Sequence, residues 1–231
     1  MKLVSVNVGL PREVTYRNRT YPTSIYKGPV AGQVRVGRLN IEGDRQGNPK
    51  THGGPDMAVY VYSHDHYAYW ETDLGTGRLA PGAFGENLTV TGMADDEVCI
   101  GDIYAIGTAR FQVTEPRTPC HKLAMKFDDP GLPRRFFKAG RLGFYFRVLA
   151  EGEIGAGDAI TCEAHDPARL SVRETAALWA DKGAEAAAFD RALGVEALSA
   201  TWRSAFAERR AKAGKGKGGE KNWSEGRLTW V

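Results

Sequence analysis

The sequence predicts a mainly β chain, closed into a barrel with few helices, followed by a small three-helix unit and a basic tail. Three observations carry this reading: short alternating runs between Gly, Pro and Asp turns up to about residue 165, a shift to Ala, Leu, Glu and Arg after Pro167, and the Gly- and Lys-rich stretch GKGKGGEK near the end. Many short strands with glycine corners favour closure, because a closed sheet has no unpaired edges. The expected units are a barrel over 1–166, three helices over 167–213 and a flexible basic tail over 214–231.

In chain order, KLVSVNV alternates as a half-buried strand should, and EVTYRNRTYPTSI reads as a hairpin turning near Asn18 and Arg19. GQVRVGRLNI, MAVYVY, NLTV, EVCIGDIYAIG, ARFQVTE and FYFRVLAEG supply further strands. One helix interrupts them: Ser63 caps HDHYAYWETDL, and Gly75 stands where a C-terminal glycine stop belongs. Beyond Pro167, Ser171 and Glu174 form an S-x-x-E capping box that opens VRETAALWA. AEAAAFDRAL then stops at Gly194, and Val195, Leu198, Trp202 and Phe206 recur at helical spacing. Helices this short are marginal alone, so they are expected to pack on one another and on the barrel.

With 231 residues, 42% of them hydrophobic, the chain can bury one substantial core. The opening MKLVSVNVGLPREV is too short and too polar for a secretory leader, and no run of about 18 apolar residues offers a membrane span. Cys99, Cys120 and Cys162 are odd in number, widely spaced and without a C-x-x-C pair. Neither a disulfide framework nor a structural zinc site is expected, and a reducing cytoplasm fits. The net charge of +3 is concentrated in residues 208–231, which hold seven basic and three acidic side chains. The helices ahead of Arg209 lack a Lys or Arg stripe, which argues against a nucleic-acid partner.

The chemistry-bearing stretch is VTEPRTPCHKL, where Cys120 follows Pro119 and lies among Arg117, His121 and Lys122. Two prolines should lift this segment off its strand as a fixed loop, and the cations should favour the thiolate, the form that attacks electrophiles or binds soft metals. A packing cysteine with its charged neighbours turned to solvent is the competing reading. Asp44, His52 and Asp56 flank the Gly53–Gly54 turn, and Glu86 and Asn87 follow Gly85 at the mouth of a strand. Turn chemistry alone accounts for either cluster equally well. No G-x-G-x-x-G follows a strand, and no complete P-loop, H-E-x-x-H or G-x-S-x-G is present, which removes the dinucleotide, P-loop, zinc-peptidase and α/β-hydrolase classes.

GDRQ with HGGPDMAV, GAFGENLTV, VCIGD, EPRTPCHKL and GRLGFYFRVLAEGEIGAGD stand in the order and rough spacing of the MOSC family, named for molybdenum cofactor sulfurase C-terminal domains. The chain resembles that family over about residues 20–165, and LSVRETAALW resembles the start of the three-helix appendage of its bacterial YiiM type. The resemblance implies a MOSC-type β-barrel and a molybdenum-molybdopterin cofactor with Cys120 as metal ligand. It implies two-electron reduction of small N-hydroxylated compounds such as hydroxylaminopurines, N–OH to N–H, as a detoxification. A carrier of the cofactor or of sulfur, without turnover, is the alternative.

On this reading Lys27, His52, Arg117, His121, Lys122 and Asn87 would join Cys120 in binding the cofactor, the cations and glycine turn serving its phosphate. The proton for the departing oxygen would come from Glu86, Asp56, His52 or His121, among which the sequence does not choose. No flavin, NAD or iron–sulfur motif is evident, so a separate flavoprotein reductase is expected as electron donor. Pyridoxal phosphate is not expected, because the aminotransferase-like domain of the sulfurases is missing from this chain.

Overall fold

The computed structural model describes residues 1–47 and 53–213. Its main sheet holds β1 (Lys2–Val8), β4 (Gly28–Pro29), β6 (Val59–Ser63), β7 (Leu88–Thr91), β8 (Ile103–Ile106), β9 (Ala109–Pro116), β10 (Phe144–Ala150) and β12 (Ile160–Ala164). Their order is β12-β8-β9-β10-β6-β7-β1-β4. Two ribbons flank it, one of β2 (Arg12–Tyr16) and β3 (Arg19–Thr23), the other of β5 (Gln33–Val36) and β11 (Gly152–Gly155). Six helices complete the described residues: α1 (Tyr67–Leu74), α2 (His121–Phe127), α3 (Leu132–Ala139), α4 (Val172–Ala180), α5 (Ala186–Leu193) and α6 (Ala200–Ala213).

The expected closed barrel is not present as an unbroken ladder among the described residues; the fold is a mixed, sheet-dominated one. What joins β1 to the segment ahead of β12 is a single Lys2–Ala159 bridge with the backbone bonds Leu3 N to Asp158 O (2.9 Å), Gly157 N to Leu3 O (2.8 Å) and Ile160 N to Met1 O (3.2 Å). Gly157, at φ +102°, turns the chain there and breaks the strand geometry that a regular ladder needs.

Strand β6, VYVYS, is buried along its whole length. Because side chains alternate, Val59 and Val61 enter one core while Tyr60 and Tyr62 enter another. The first core is aliphatic and phenylalanine-rich, with Leu3, Val90, Phe111, Phe144 and Phe146. The second is aromatic, built where Trp70 of α1, Phe84 and Phe136 of α3 close around Tyr62. Tyr62 ties it together, accepting from the Trp70 indole at 2.6 Å and donating to Arg141 O at 2.9 Å.

Several local expectations hold, and others shift. Ser63 accepts from Asp65 N, a short 3-10 turn leads into α1, and Gly75 ends it at φ +60°. Ser171 and Glu174 form the full capping box of α4. The hairpin turns at Arg17–Asn18, one residue earlier than expected, because both adopt left-handed φ (49° and 62°) in a two-residue loop. Gly194 follows α5 but is right-handed (φ −70°), and Val195 and Leu198 lie in the turn ahead of α6, not in a helix. Helices α2 and α3 fall in a region expected to be β; α3 carries Pro in its first turn and Gly140 at φ +62° after its last.

The three C-terminal helices do not form a separate core. Val172, Phe189, Leu198, Trp202 and Phe206 belong to the same buried cluster as the sheet. Backbone bonds sew the seam: Ile100 N to Leu170 O (2.9 Å), Val172 N to Val98 O (2.9 Å) and Ser199 N to Thr114 O (3.2 Å). The arginines of α6 are engaged internally, Arg203 on the Leu193 and Val195 carbonyls, Arg209 on those of Leu178, Trp179 and Asp181, and Arg210 on Asp190.

Glu115 of β9 lies in this seam, 2% exposed, with one carboxyl oxygen left without a hydrogen-bond partner among the described residues. Burial pushes its pKa from 4.5 up to about 7, Asp56 adding to the rise and a bond with Ser199 opposing it. Between those values the unfolded chain releases a proton that the folded chain keeps, so stability falls as pH rises through the window and levels off above it. Urea denaturation from pH 5 to 8 should show this loss, up to about 3 kcal/mol. Glu115→Gln should flatten the slope and be the more stable protein at pH 8; equal slopes would remove the assignment.

Candidate active site

The segment after β9 cannot continue as strand, since Pro116 ends the ladder and Pro119 removes a further donor. It crosses to α2 as a four-residue loop, fixed at its start by Arg117 N donating to Gly143 O at 3.0 Å. Cys120 is the residue flanking α2, in extended conformation, and its sulfur makes no capping bond. Cys120 lines an open cleft whose walls include Ser24, Lys27, Asp44, Tyr60, Asn87, Arg117, Lys122 and Tyr145. Cys120 is itself largely buried, 8% exposed.

The wall residues come from several elements and the loops between them, brought together by the strand order. Tyr60 and Tyr145 project from the paired strands β6 and β10. Burial pushes both phenols upward, so they stay neutral donors at physiological pH. Asn87 sits immediately ahead of β7, accepting from Tyr60 N at 3.1 Å and donating to Asp44 at 2.9 Å. Asp44 in turn accepts from Gly9 N at 2.9 Å and forms a tight ion pair with Lys27. Burial holds the Lys27 pKa below the usual lysine value against the opposing pull of Asp44. Gly85, at φ +83°, lets this loop close against Ile25, where a Cβ would lie 2.8 Å from the isoleucine side chain. The close approach that glycine permits is thus to the protein itself.

Arg117 is the electrostatic outlier. It is 6% exposed, and no carboxylate among the described residues pairs with it. Its guanidinium lies 4.9 Å from the Tyr60 ring centre and 5.4 Å from that of Phe136, and reaches the Tyr60 hydroxyl at 3.4 Å. Cation–π contacts of about 1–2 kcal/mol do not offset the several kcal/mol that burying an unpaired charge costs. The Ser24 hydroxyl on the same wall is buried without a hydrogen-bond partner among the described residues. A soft sulfur, an uncompensated guanidinium and an orphaned hydroxyl facing one cleft suit an anionic ligand that also presents a thiophilic metal.

The structure therefore brings together Lys27, Asn87, Arg117, Cys120 and Lys122 of the residues singled out from sequence. It does not bring Glu86 or Asp56. Glu86 is wholly buried beside the cleft, accepting from Gly82 N (2.9 Å), Phe84 N (3.0 Å), the Thr89 hydroxyl (2.9 Å) and the Tyr67 hydroxyl. With both oxygens occupied it braces the loop that carries Asn87 and is not aimed at a ligand. Asp56 binds Arg147 at 2.6 and 2.9 Å and Ala200 N at 3.3 Å, so it ties β10 to the start of α6. The His121 ring packs on Tyr21 of the hairpin, the ring centres 4.8 Å apart. His52 lies outside the described residues. Ser24, Tyr60 and Tyr145 were missed, since a serine after a hairpin and tyrosines inside strands carry no local signal of their own.

The MOSC domain model matches residues 48–161, and the YiiM-like, 3-alpha helix domain model matches residues 170–213. The chain is 34% identical over 192 residues to protein YiiM of Escherichia coli, covering 82% of this chain and 85% of that one. The crystal structure of YiiM from Geobacillus stearothermophilus superposes with a TM-score of 0.77 at 39% identity, over 90% of this chain and 98% of that one. A Gibberella moniliformis protein named as a reductase is 40% identical over 142 residues, which are 60% of this chain but 25% of that longer protein. On the strength of both domain matches and of likeness along nearly the whole length of the YiiM proteins, the chain belongs to the MOSC family, in its YiiM-like branch.

Proposed function

We propose that the chain is a molybdenum-cofactor-dependent reductase of small N-hydroxylated compounds of the hydroxylaminopurine type. The observation that carries this reading is Cys120 lining the same cleft as a buried Arg117 that has no carboxylate partner among the described residues. MOSC domains are associated with molybdenum-cofactor binding, and the reductase name of the fungal relative supports the reaction class. When bound, the cofactor supplies two-electron redox chemistry at a sulfur-ligated molybdenum.

The chain's own residues then have separable roles. Cys120 offers the metal a thiolate, and Arg117, Lys122 and the Ser24 hydroxyl hold the anionic portion of the cofactor. Lys27, fixed by Asp44, and the neutral phenols of Tyr60 and Tyr145 border the remaining space. Reduction of N–OH to N–H consumes two electrons and two protons and releases water. With Glu86 and Asp56 committed to the scaffold, the ammonium groups of Lys27 and Lys122 are the proton sources on the cleft wall, Lys27 favoured by its depressed pKa. The electrons come from a separate flavoprotein reductase. No helix among the described residues is long and apolar enough to cross a membrane, in keeping with the small-molecule, cytoplasmic role proposed.

Molybdenum analysis of protein from a molybdopterin-competent host, with a hydroxylaminopurine reduction assay on an artificial donor, tests the proposal. Cys120→Ser should lose molybdenum and activity together, and full metal content in that variant would refute the ligand role; bound molybdenum without turnover in the parent would favour a carrier. Arg117→Leu should lower molybdenum content while leaving thermal stability equal or up to about 3 kcal/mol higher, because it deletes an unpaired buried charge. Destabilisation of that size instead would make Arg117 structural. Asp56→Asn should retain molybdenum and cost about 1–3 kcal/mol in denaturant unfolding.

A further inference from the structure

A second constellation of metal-binding side chains lies outside the cleft, where β12 ends and the chain turns towards α4. Asp102, Cys162 and His165 place one donor atom each within 4.8 Å of one another. The spacing Cys-x-x-His in an extended strand would send the two side chains to opposite faces. Here the pairing of β12 with β8 slips between Cys162 and Ala164, and this bulge swings His165 back over the sulfur. The imidazole Nδ1 ends 3.5 Å from Cys162 Sγ and 3.3 Å from Asp102 Oδ2.

Those separations have a specific meaning. Tetrahedral zinc with bonds of about 2.3 Å to sulfur and about 2.0–2.1 Å to nitrogen and oxygen requires an S···N edge of about 3.6 Å and an N···O edge of about 3.3 Å. The observed pair of edges matches both. Asp102 is also prepared as a ligand carboxylate. It is fully buried, and its Oδ1 is occupied by Asp166 N (2.9 Å) and faced by Arg169 (3.5 Å). Besides His165, its Oδ2 is reached among the described residues by longer contacts, from Cys99 N at 3.2 Å and the Tyr104 hydroxyl at 3.4 Å. Such outer contacts orient a ligand oxygen without saturating it. His165 is 58% exposed at its side chain, which leaves an access path and room for water in a fourth position.

We propose that Asp102, Cys162 and His165 form a site for a thiophilic divalent cation, zinc by its chemistry, that clips β8 and β12 to the segment entering the three-helix unit. Binding replaces the Cys162 thiol proton, released to solvent, with the metal; thiolate and carboxylate then balance the two positive charges, and imidazole and water complete the shell. The widely spaced cysteines argue against a multi-cysteine zinc site, and this one needs a single sulfur. It does not depend on the cleft or on molybdenum.

Cobalt(II) titration of the chelator-treated full-length protein tests it, since a cysteine ligand gives a thiolate-to-cobalt charge-transfer absorption in the near ultraviolet. One equivalent should bind with that absorption in the parent and in Cys120→Ser, Cys162→Ser should lack it, and His165→Ala, which removes an exposed side chain, should bind cobalt about 100-fold more weakly. No absorption at saturating cobalt, an absorption that survives Cys162→Ser, or unchanged affinity in His165→Ala would overturn the site. Molybdenum content measured on the same samples should be indifferent to Cys162→Ser, so the two metal assignments fail or stand separately.

Discussion

Strand β6 is buried on both faces, and that constraint organises the molecule. A strand so placed must satisfy two environments with one alternation, and VYVYS does so by sending valines to the aliphatic core and tyrosines to the aromatic one. The aromatic core must also satisfy its polar groups, because phenols and indoles need polar partners as well as contact. Tyr62 finds them in Trp70 and Arg141, while Tyr60 donates to Leu142 O at 2.8 Å and turns its ring towards Arg117. The cleft opens where the aromatic packing gives way to charge.

Arg117 is the point at which the aromatic packing meets the cleft. With no carboxylate paired to it among the described residues, folding of those residues gives no reason to bury a guanidinium there, and a hydrophobic residue of similar size would serve the core better. Retention of such a charge is intelligible when a ligand supplies the missing anion. Cys120 is three residues further along the same loop, so one short proline-bound segment positions both the soft donor and the cation. Glu86 has the complementary role. By accepting four hydrogen bonds it freezes the loop from Gly82 to Asn87, and Asn87 in turn holds Asp44 and hence Lys27.

Much of this was legible in the sequence where chemistry is local. The capping box at Ser171, the Ser63 cap, the glycine stop at Gly75 and the basic proline loop around Cys120 each announce themselves within a few residues. Helices α2 and α3 did not, because HKLAMKF and LPRRFFKA are short and sit between prolines and glycines that also mark turns. For α3 the signal was present nonetheless, a proline in the first turn and a glycine after the last. Glu86 and Asp56 misled for a different reason: a carboxylate in a glycine loop reads alike whether it faces a ligand or its own backbone. Only the partners, Gly82 N and Phe84 N for one and Arg147 for the other, distinguish the cases, and those partners are set by tertiary contact. Ser24, Tyr60 and Tyr145 became visible for the same reason, through the company they keep.

The three helices bear on the cleft through β9, whose consecutive residues serve both. Thr114 accepts from Ser199 N through its carbonyl and donates through its hydroxyl to Asp56 O at 2.6 Å and Tyr145 O at 3.1 Å. Glu115, next in line, is sealed against Ser199, and Arg117 two residues on faces the cleft. Asp56 closes the circuit by holding Arg147 of β10 with one oxygen and Ala200 N with the other. A strand locked on one side by the helical unit has little freedom to move the loop that follows it. The helices thus act on the cleft as a brace, through packing that reaches Arg117 and Cys120 along a single strand.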